Sequence, residues 1–168
     1  MFSGIIENTT NAEKIDKRGN TLKIQLKAPK GWRIKKGESI SIDGICSTVE
    51  STKSGQFSVY YMPETIRKVA AHEISNSHLF NLERSLTLQS LIGGHLVSGH
   101  IDTTAKLAST QNEQDSKVMK FKINPKYTKY IIEKGSVVIN GVSLTIVTVG
   151  KDQFSVSLIP YTLKNTNL

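Results

Sequence analysis

Two short segments each place a small reactive or hydroxyl side chain two residues before a threonine. Cys46 precedes Thr48, and Ser143 precedes Thr145 in a segment of similar sequence. Residues two apart on a β-strand face the same side, so each pair would line one face. A thiol or hydroxyl on such a face can hydrogen-bond a polar ligand or pass a proton. Because threonine is common in strands, the alternative is that both pairs only form sheet.

A second candidate segment is rich in glycine and histidine and reads GGHLVSGH from residue 93 to residue 100. Glycine lets a backbone approach a flat ligand or another strand closely. The two histidines, His95 and His100, would face opposite sides of a regular strand. With one cysteine in the chain, no cysteine-based zinc site or internal disulfide is possible, and no metal site is expected. The alternative for each histidine is a structural residue bonded to the backbone.

Other catalytic patterns are missing from the sequence, which has no phosphate-binding loop, dinucleotide glycine fingerprint or nucleophile elbow. Spacing alone assembles no Ser-His-Asp triad. These observations favour binding and positioning of a flat polar ligand over covalent catalysis.

The composition is that of a globular chain with a basic surface. The 168 residues are 38% hydrophobic and 21% charged, which argues against a wholly disordered chain. The net charge of +8 would attract nucleic acid or anionic ligands. The basic residues are scattered, however, and aromatic residues make up only 7%, so nucleic-acid binding is not expected. No apolar run approaches the ~18 residues of a membrane span, and the start does not resemble a signal peptide. We therefore expect a cytoplasmic protein without membrane association.

The chain is a tandem duplication with an offset of 97 residues. Eight of the 27 residues from 44 to 70 are identical to their counterparts from 141 to 167, where average usage would give roughly two. Upstream, Ser3-Gly4-Ile5-Ile6-Glu7 resembles Ser98-Gly99-His100-Ile101-Asp102. The second copy begins near Gly93, so the predicted domains are residues 1–92 and 93–168.

Each copy is predicted to form short strands. The alternation of apolar and polar residues over 21–26 and 118–123 is typical of half-buried strands. Asp43-Gly44 and Asn140-Gly141, flanked by strand-like runs, are strong hairpin signals. The segment 63–68 can open a short helix, with proline in its first turn. Closely spaced strands punctuated by glycine predict an all-β fold, two small antiparallel Greek-key β-barrels in tandem with short helices.

The last predicted strand of the first copy, residues 77–84, has no counterpart in the second. At the same offset its partner would begin at position 174, beyond Leu168. The second barrel is therefore expected to lack its last strand and to present an edge that is either open or paired by another chain.

Three motifs resemble the riboflavin synthase family of the alpha-chain type, and the resemblance covers essentially the whole chain. They are MFSGIIE at residues 1–7, GGHLVSGHI at residues 93–101, and KG at 134–135 followed by NGVSLT at 140–145. The resemblance implies a dismutation without metal or organic cofactor. Two molecules of 6,7-dimethyl-8-ribityllumazine exchange a four-carbon unit and give riboflavin and 5-amino-6-(ribitylamino)uracil.

The resemblance also implies the site residues. Cys46, Ser41 and His100, in that falling order, are candidates to polarise the substrate or relay a proton, and Phe2 would lie beside the site at a subunit contact. The implied substrate-binding residues of the first pocket are Gly4, Ile5, Ile6, Cys46, Ser47, Thr48, Tyr60, Tyr61, Met62, Pro63, Glu64 and Thr65. Those of the second pocket are Gly99, His100, Ile101, Lys134, Ser143, Leu144, Thr145, Ser157, Leu158, Ile159, Pro160, Tyr161 and Thr162.

The resemblance has implications for assembly as well. The family is homotrimeric, with each active site formed by the first barrel of one subunit and the second barrel of another, and it can associate with lumazine synthase. Its trimer is packed by a helix that would follow residue 168, so assembly through that helix is not expected for these residues. The sequence also departs from the family at Ser47, where leucine is usual, and at Asn140, where aspartate is usual. A non-catalytic lumazine- or flavin-binding protein of the same fold is the alternative function.

Overall fold

The computed structural model describes residues 1–70 and 74–168 and shows two β-structures in tandem. The first six strands close a barrel in the order β1-β2-β5-β4-β3-β6, and the next five form a sheet in the order β7-β8-β11-β10-β9. The first barrel consists of β1 (Asn8–Arg18), β2 (Thr21–Lys27), β3 (Ser39–Ile42), β4 (Ile45–Lys53), β5 (Gln56–Tyr61), the short helix α1 (Pro63–Lys68) and β6 (Leu79–Arg84). The second consists of β7 (Lys106–Glu113), β8 (Ser116–Lys122), a 3₁₀ helix (Pro125–Tyr130), β9 (Ser136–Ile139), β10 (Val142–Val149), β11 (Gln153–Leu158) and α2 (Pro160–Asn165).

The strand order of the second sheet repeats the first without its closing strand. In the first barrel, β6 pairs with both β1 and β3 and so joins the two ends of the sheet. Among the described residues, no strand occupies the corresponding place between β7 and β9. The all-β fold, the duplication and the second barrel without a last strand are therefore confirmed. The boundary between residues 92 and 93 stays a prediction; it falls in the strand-free stretch between β6 and β7.

The two expected hairpins form where the turn dipeptides predict them. Ile42 pairs with Ile45 across Asp43-Gly44, and both turn residues have positive φ, 49° and 83°. Asn140 and Gly141 repeat this geometry with φ of 47° and 82°. These are the angles of a type I′ turn, which suits the right-handed twist of a hairpin.

Strands β1 and β7 were not predicted from the sequence, because neither alternates apolar and polar residues as β2 does. Every residue of β7 is exposed, and β1 contributes only partly buried side chains. Both strands form through backbone pairing to the next strand, β1 to β2 and β7 to β8.

Each β-structure has its own apolar core. The first packs around side chains such as Ile24, Phe57 and Leu82, and the second around side chains such as Ile146 and Val156. The two structures meet at their hairpin turns. A Cβ on either Gly44 or Gly141 would lie 2.8 Å from the backbone nitrogen of the other glycine. This contact is reciprocal, as expected where an approximate twofold axis relates the repeats. Within the described residues, no helix has the length and hydropathy needed to cross a bilayer.

Candidate functional site

The segments that precede the first strand of each repeat run side by side between the two barrels. Phe2 and Val97 exchange two backbone hydrogen bonds of 2.8 and 2.9 Å, which form an antiparallel bridge. Beyond this bridge each segment continues toward one barrel. We call residues 4–6 the N-terminal cover and residues 99–101 the central cover.

Each cover lies on the barrel of the other repeat. The carbonyl of Gly4 accepts a 2.7 Å hydrogen bond from the N–H of Ser143, which lies on β10 of the second barrel. The carbonyl of Gly99 accepts a 2.9 Å hydrogen bond from the N–H of Cys46, on β4 of the first barrel. Two equivalent strands thus receive equivalent covers.

This exchange corrects the grouping of the two pockets expected from the sequence. Ile6, assigned to the first pocket, packs against the core of the second barrel, and Ile101 packs against the core of the first. The repeat offset identifies equivalent residues, but it does not determine the barrel on which a connecting segment packs. In the structure the central cover therefore lies beside the strand that carries Cys46, and the N-terminal cover beside the strand that carries Ser143, and we group each candidate pocket accordingly.

Both covers approach their walls at a distance that only glycine allows. A Cβ on Gly4 would lie 2.7 Å from the Cβ of Ser143, and a Cβ on Gly99 would lie 2.6 Å from the Cβ of Cys46. Both glycines also have positive φ, 77° and 80°, which is unfavourable for residues with a side chain. The presence of glycine at this position in both repeats thus has a direct steric reason.

The wall of the first pocket alternates exposed and buried side chains along β4. Cys46 and Thr48 are exposed, and Ser47 between them points into the barrel. The hydroxyl of Ser47 donates to the carbonyl of Ile45 at 2.9 Å and shares a 2.8 Å hydrogen bond with the hydroxyl of Tyr61. The exposed thiol and hydroxyl can contact a ligand directly, whereas Ser47 and Tyr61 support the wall from inside.

The end of β5 and helix α1 continue this wall. Tyr60 and Met62 are 43% and 57% exposed, and Pro63 and Thr65 are partly buried. Glu64 pairs with the guanidinium of Arg67, whose hydrogen bond and charge lower the pKa of this carboxyl. Glu64 is therefore an ionised carboxylate directed to its own helix.

The wall of the second pocket has the same backbone and different side chains. Ser143 and Thr145 take the places of Cys46 and Thr48, and Leu144 is 8% exposed. The hydroxyl of Ser143 hydrogen-bonds Nδ1 of His95 at 2.8 Å. The second wall thus holds its hydroxyl in a fixed orientation through a histidine from the segment between the repeats.

The end of β11 and helix α2 complete the second wall. Ser157, Pro160 and Tyr161 are exposed, Thr162 is partly buried and Leu158 is fully buried. Ile159 is 58% exposed, close to the 57% of its counterpart Met62 in the first repeat. Lys134 is exposed, and its N–H donates to the carbonyl of Ile146 one residue beyond Thr145. Each pocket therefore offers hydroxyl groups next to exposed apolar side chains, which suits a flat ligand with a polar edge.

Comparison with known proteins identifies the family. The lumazine binding domain model matches residues 3–85 and 98–168, once for each repeat. The riboflavin synthase of Actinobacillus pleuropneumoniae is 40% identical over 169 residues, which cover 100% of this chain and 79% of that protein. The riboflavin synthase of Bacillus subtilis is 36% identical over 99% of this chain and 78% of that protein. The chain belongs to the riboflavin synthase family. It is an enzyme of that type.

Solved structures share the fold of this riboflavin synthase family member. LumP complexed with riboflavin superposes with a TM-score of 0.91 at 24% identity, over 100% of this chain and 92% of that chain. LumP complexed with 6,7-dimethyl-8-(1'-D-ribityl) lumazine has a TM-score of 0.89 at 23% identity. At this identity the likeness concerns the fold alone.

The four candidate catalytic residues of this riboflavin synthase family member lie in three different environments. Cys46 is exposed on the first wall, and the exposed His100 follows Gly99, the residue that binds the Cys46 backbone. Ser41 is 2% exposed and pairs with Cys46 across β3 and β4. Phe2 is fully buried, and its ring lies against Gly99. The structure thus brings Cys46, Ser41 and the backbone of Gly99 together on the outer face of the first barrel, with the buried ring of Phe2 against Gly99.

Two residues important to this arrangement were missed as contributors to the site. His95 was recognised only as part of a motif, although it binds Ser143. Glu83 was placed only in a predicted strand, although its buried carboxylate binds Ser3 and Gly4. Glu83 occupies a polar position of an alternating strand, which predicts an exposed side chain, so the sequence pattern held no signal for its burial. In the part of the chain that the structure describes, no group of three or more His, Cys, Asp or Glu could hold a metal ion.

The buried phenol of Tyr61 leads to a prediction about stability at alkaline pH. Burial raises the pKa of Tyr61 well above its usual value near 10, so the folded protein keeps the phenol protonated while the unfolded chain ionises. Unfolding therefore becomes more favourable as the pH rises above about 10, by up to about 1.4 kcal/mol per pH unit from this group. In Tyr61→Phe this contribution is lost, and denaturant titrations at pH 8, 9, 10 and 11 should show a shallower decline than in the wild type. Parallel curves for the two proteins would contradict the role of Tyr61.

Proposed function

We propose that the chain catalyses the dismutation of two 6,7-dimethyl-8-ribityllumazine molecules to riboflavin and 5-amino-6-(ribitylamino)uracil. The main support is the equivalent arrangement of two surfaces, each formed by a strand of one repeat and hydrogen-bonded to a cover from the other. A reaction between two copies of one substrate needs two sites of similar shape. Binding both copies in fixed orientations converts a bimolecular step into a pre-oriented one.

The differences between the pockets suit the unequal roles of the two substrates. One lumazine gives up a four-carbon unit and the other receives it, so a proton must leave the acidic C7 methyl group of a substrate. In our proposal the thiol of Cys46 and the imidazole of His100 polarise the substrate or relay protons in the first pocket. Ser41 would position Cys46 from the neighbouring strand on the same face, and Phe2 would support Gly99.

Substrate contacts in the proposal come from the exposed groups of each wall. In the first pocket, Thr48, Tyr60 and the backbone at Gly99 would bind the polar edge and ribityl chain. In the second, Ser143, Thr145 and Ser157 would do so, with Ile5 and Ile159 against the ring. Residues inside the barrels, Ser47, Tyr61 and Leu158, would act by supporting the walls.

Apolar side chains of both candidate sites are exposed on a single chain, since Met62, Ile159 and Tyr161 are more than half exposed. We propose that the first pocket of one chain closes against the second pocket of another. A trimer, association with lumazine synthase and a cytoplasmic location stay predictions, as does the lack of nucleic-acid binding.

Conversion of the lumazine by purified protein tests the function. We expect riboflavin and the pyrimidinedione in equal amounts, with two lumazines consumed per riboflavin and no added cofactor. Activity per chain should rise with protein concentration if the pockets of two chains must meet, and the mass in solution should rise in parallel. Tight lumazine binding without riboflavin at any concentration would instead establish the alternative, a non-catalytic lumazine- or flavin-binding protein. A steep loss of binding with added salt would indicate that charge, and not the pockets, dominates recognition.

A further inference from the structure

The outer face of β6 carries buried polar side chains where an exposed or apolar face would be ordinary. Phe80 and Leu82 point into the first barrel. Asn81 and Glu83 point the other way and are nevertheless only 0% and 3% exposed. Both are covered by segments from outside the first barrel, because Asn81 binds Asn140 and Glu83 binds the start of the chain.

Glu83 binds the residues at the start of the N-terminal cover through both carboxylate oxygens. Its Oε1 accepts hydrogen bonds from the N–H of Ser3 at 2.6 Å and from the Ser3 hydroxyl at 2.7 Å. Its Oε2 accepts from the N–H of Gly4 at 3.0 Å. A buried carboxylate is costly unless donors of this kind surround it. The Ser3–Gly4 segment therefore has one orientation that satisfies the charge.

The same two residues continue into the second pocket. The carbonyl of Gly4 accepts from the N–H of Ser143 at 2.7 Å, and the carbonyl of Ser3 accepts from the N–H of His95 at 3.1 Å. His95 in turn holds the hydroxyl of Ser143 at 2.8 Å. A continuous set of hydrogen bonds thus leads from a side chain of the first barrel to the wall of the second pocket.

We propose that Glu83 is a positioning residue for the second pocket, although it belongs to the first barrel. This inference rests on the proposed function, since it concerns the same site. Glu83 fixes the N-terminal cover against Ser143 and thereby sets the shape of the second pocket and the orientation of its hydroxyl. The central cover is bound to Cys46 through Gly99, and among the described residues the Glu83 carboxylate hydrogen-bonds Ser3 and Gly4 and not the central cover. Glu83 also pairs through the backbone with Ser41 of β3, but a side-chain substitution keeps that pairing, so the effect of Glu83 should be larger at the second pocket than at the first.

The test compares two isosteric variants on the same face of β6. Glu83→Gln replaces one acceptor oxygen by a donor and removes the negative charge, so it cannot satisfy all three donors of Ser3 and Gly4. Asn81→Asp is the matched control, because it disturbs an equally buried polar group that binds Asn140 and Asn167 instead. Both variants keep the backbone pairing of β6.

Amide hydrogen exchange, measured without ligand, reports directly on how each cover is held against its strand. The N–H groups of Ser143 and Cys46 are equivalent in the two repeats, and each donates to the glycine of one cover. In Glu83→Gln we expect the protection of the Ser143 N–H to fall about tenfold, since bonds to a charged group are among the stronger ones. Protection of the Cys46 N–H should stay within about twofold of the wild type. Equal loss at both sites, or no loss at Ser143, would overturn the proposal.

Ligand titration then tests the consequence for the site. Labelling with ¹⁵N-cysteine gives a single signal for the first pocket, because the chain has one cysteine, Cys46. The Ser143 amide reports the second pocket. With 6,7-dimethyl-8-ribityllumazine as the probe, Glu83→Gln should raise the Kd read at Ser143 about tenfold and leave the Kd read at Cys46 within about twofold. Asn81→Asp should not change the ratio of the two constants. Equal changes of Kd at both reporters in Glu83→Gln would overturn the proposal. Failure of the wild type to bind the lumazine would instead refute the proposed function. In that case the hydrogen-exchange result alone would decide the role of Glu83.

Discussion

Gly99→Ala is expected to disrupt the first pocket more than any other single-methyl change in the covers. The new Cβ would lie 2.6 Å from the Cβ and 2.9 Å from the backbone nitrogen of Cys46, and 3.0 Å from the ring of Phe2. Backbone, and not a flexible side-chain end, is in the way, so the central cover must move off the wall. We expect a loss of about 2 to 4 kcal/mol in the free energy of unfolding from overpacking and positive φ together. Riboflavin formation should fall at least about tenfold, since the position of His100 changes with that of Gly99.

Gly55→Ala is the matched control for this experiment. Gly55 has a similar φ of 75°, but a Cβ there would meet nothing within 4 Å. Gly55→Ala should lower the free energy of unfolding by about 1 kcal/mol, because of the positive φ alone, and leave riboflavin formation unchanged. Denaturant titration and initial rates of riboflavin formation measure both effects. Equal stability and equal rates in the two variants would show that the contact between Gly99 and Cys46 is not needed.

Substitution of Cys46 is expected to separate turnover from binding. If its thiol takes part in proton transfer, Cys46→Ala should lower kcat about a hundredfold, the scale of a lost general acid or base. Cys46→Ser keeps a group that can hydrogen-bond and should show a smaller loss in kcat. In both variants the Kd for the lumazine should change by less than about threefold, because the rest of the first wall is retained.

Ser143→Ala is the corresponding change in the second pocket and serves as the comparison for Cys46. It removes the hydroxyl bound by His95 and leaves the first pocket intact. Single-turnover rates and fluorescence titrations with the lumazine distinguish the two pockets. An unchanged rate in Cys46→Ala would remove this residue from the mechanism, and a rise in Kd that matched the loss in rate would assign it to binding.

Much of the fold could be predicted from the sequence because the repeat preserves local signals. The Asp43-Gly44 and Asn140-Gly141 turns, the alternation in β2 and the proline that opens α1 each require only neighbouring residues. β1 and β7 lacked such a signal. Their polar residues pair through the backbone, and the pairing depends on the presence of a partner strand.

The site was less predictable for a physical reason of the same kind. Which barrel Ile6 and Ile101 pack on depends on the path of the chain between the repeats, and that path is set by the Phe2–Val97 bridge. The buried polar pair Ser47 and Tyr61 is another tertiary effect. The equivalent residues in the second barrel are the buried leucines Leu144 and Leu158, so the interior tolerates either a hydrogen-bonded or an apolar pair.

The exchanged covers have a consequence for how such a chain can arise. In a dimer of a single ancestral repeat, the first residues of each copy would complete the pocket of the other copy. This is the geometry of a domain-swapped dimer with twofold symmetry and two identical sites. Fusion of the two copies into one chain retains the swap and removes the requirement that the sites be identical. Cys46 could then diverge from Ser143, and His100 from Ile5, so that one ancestral sequence supplies two chemically different halves of a reaction between identical molecules.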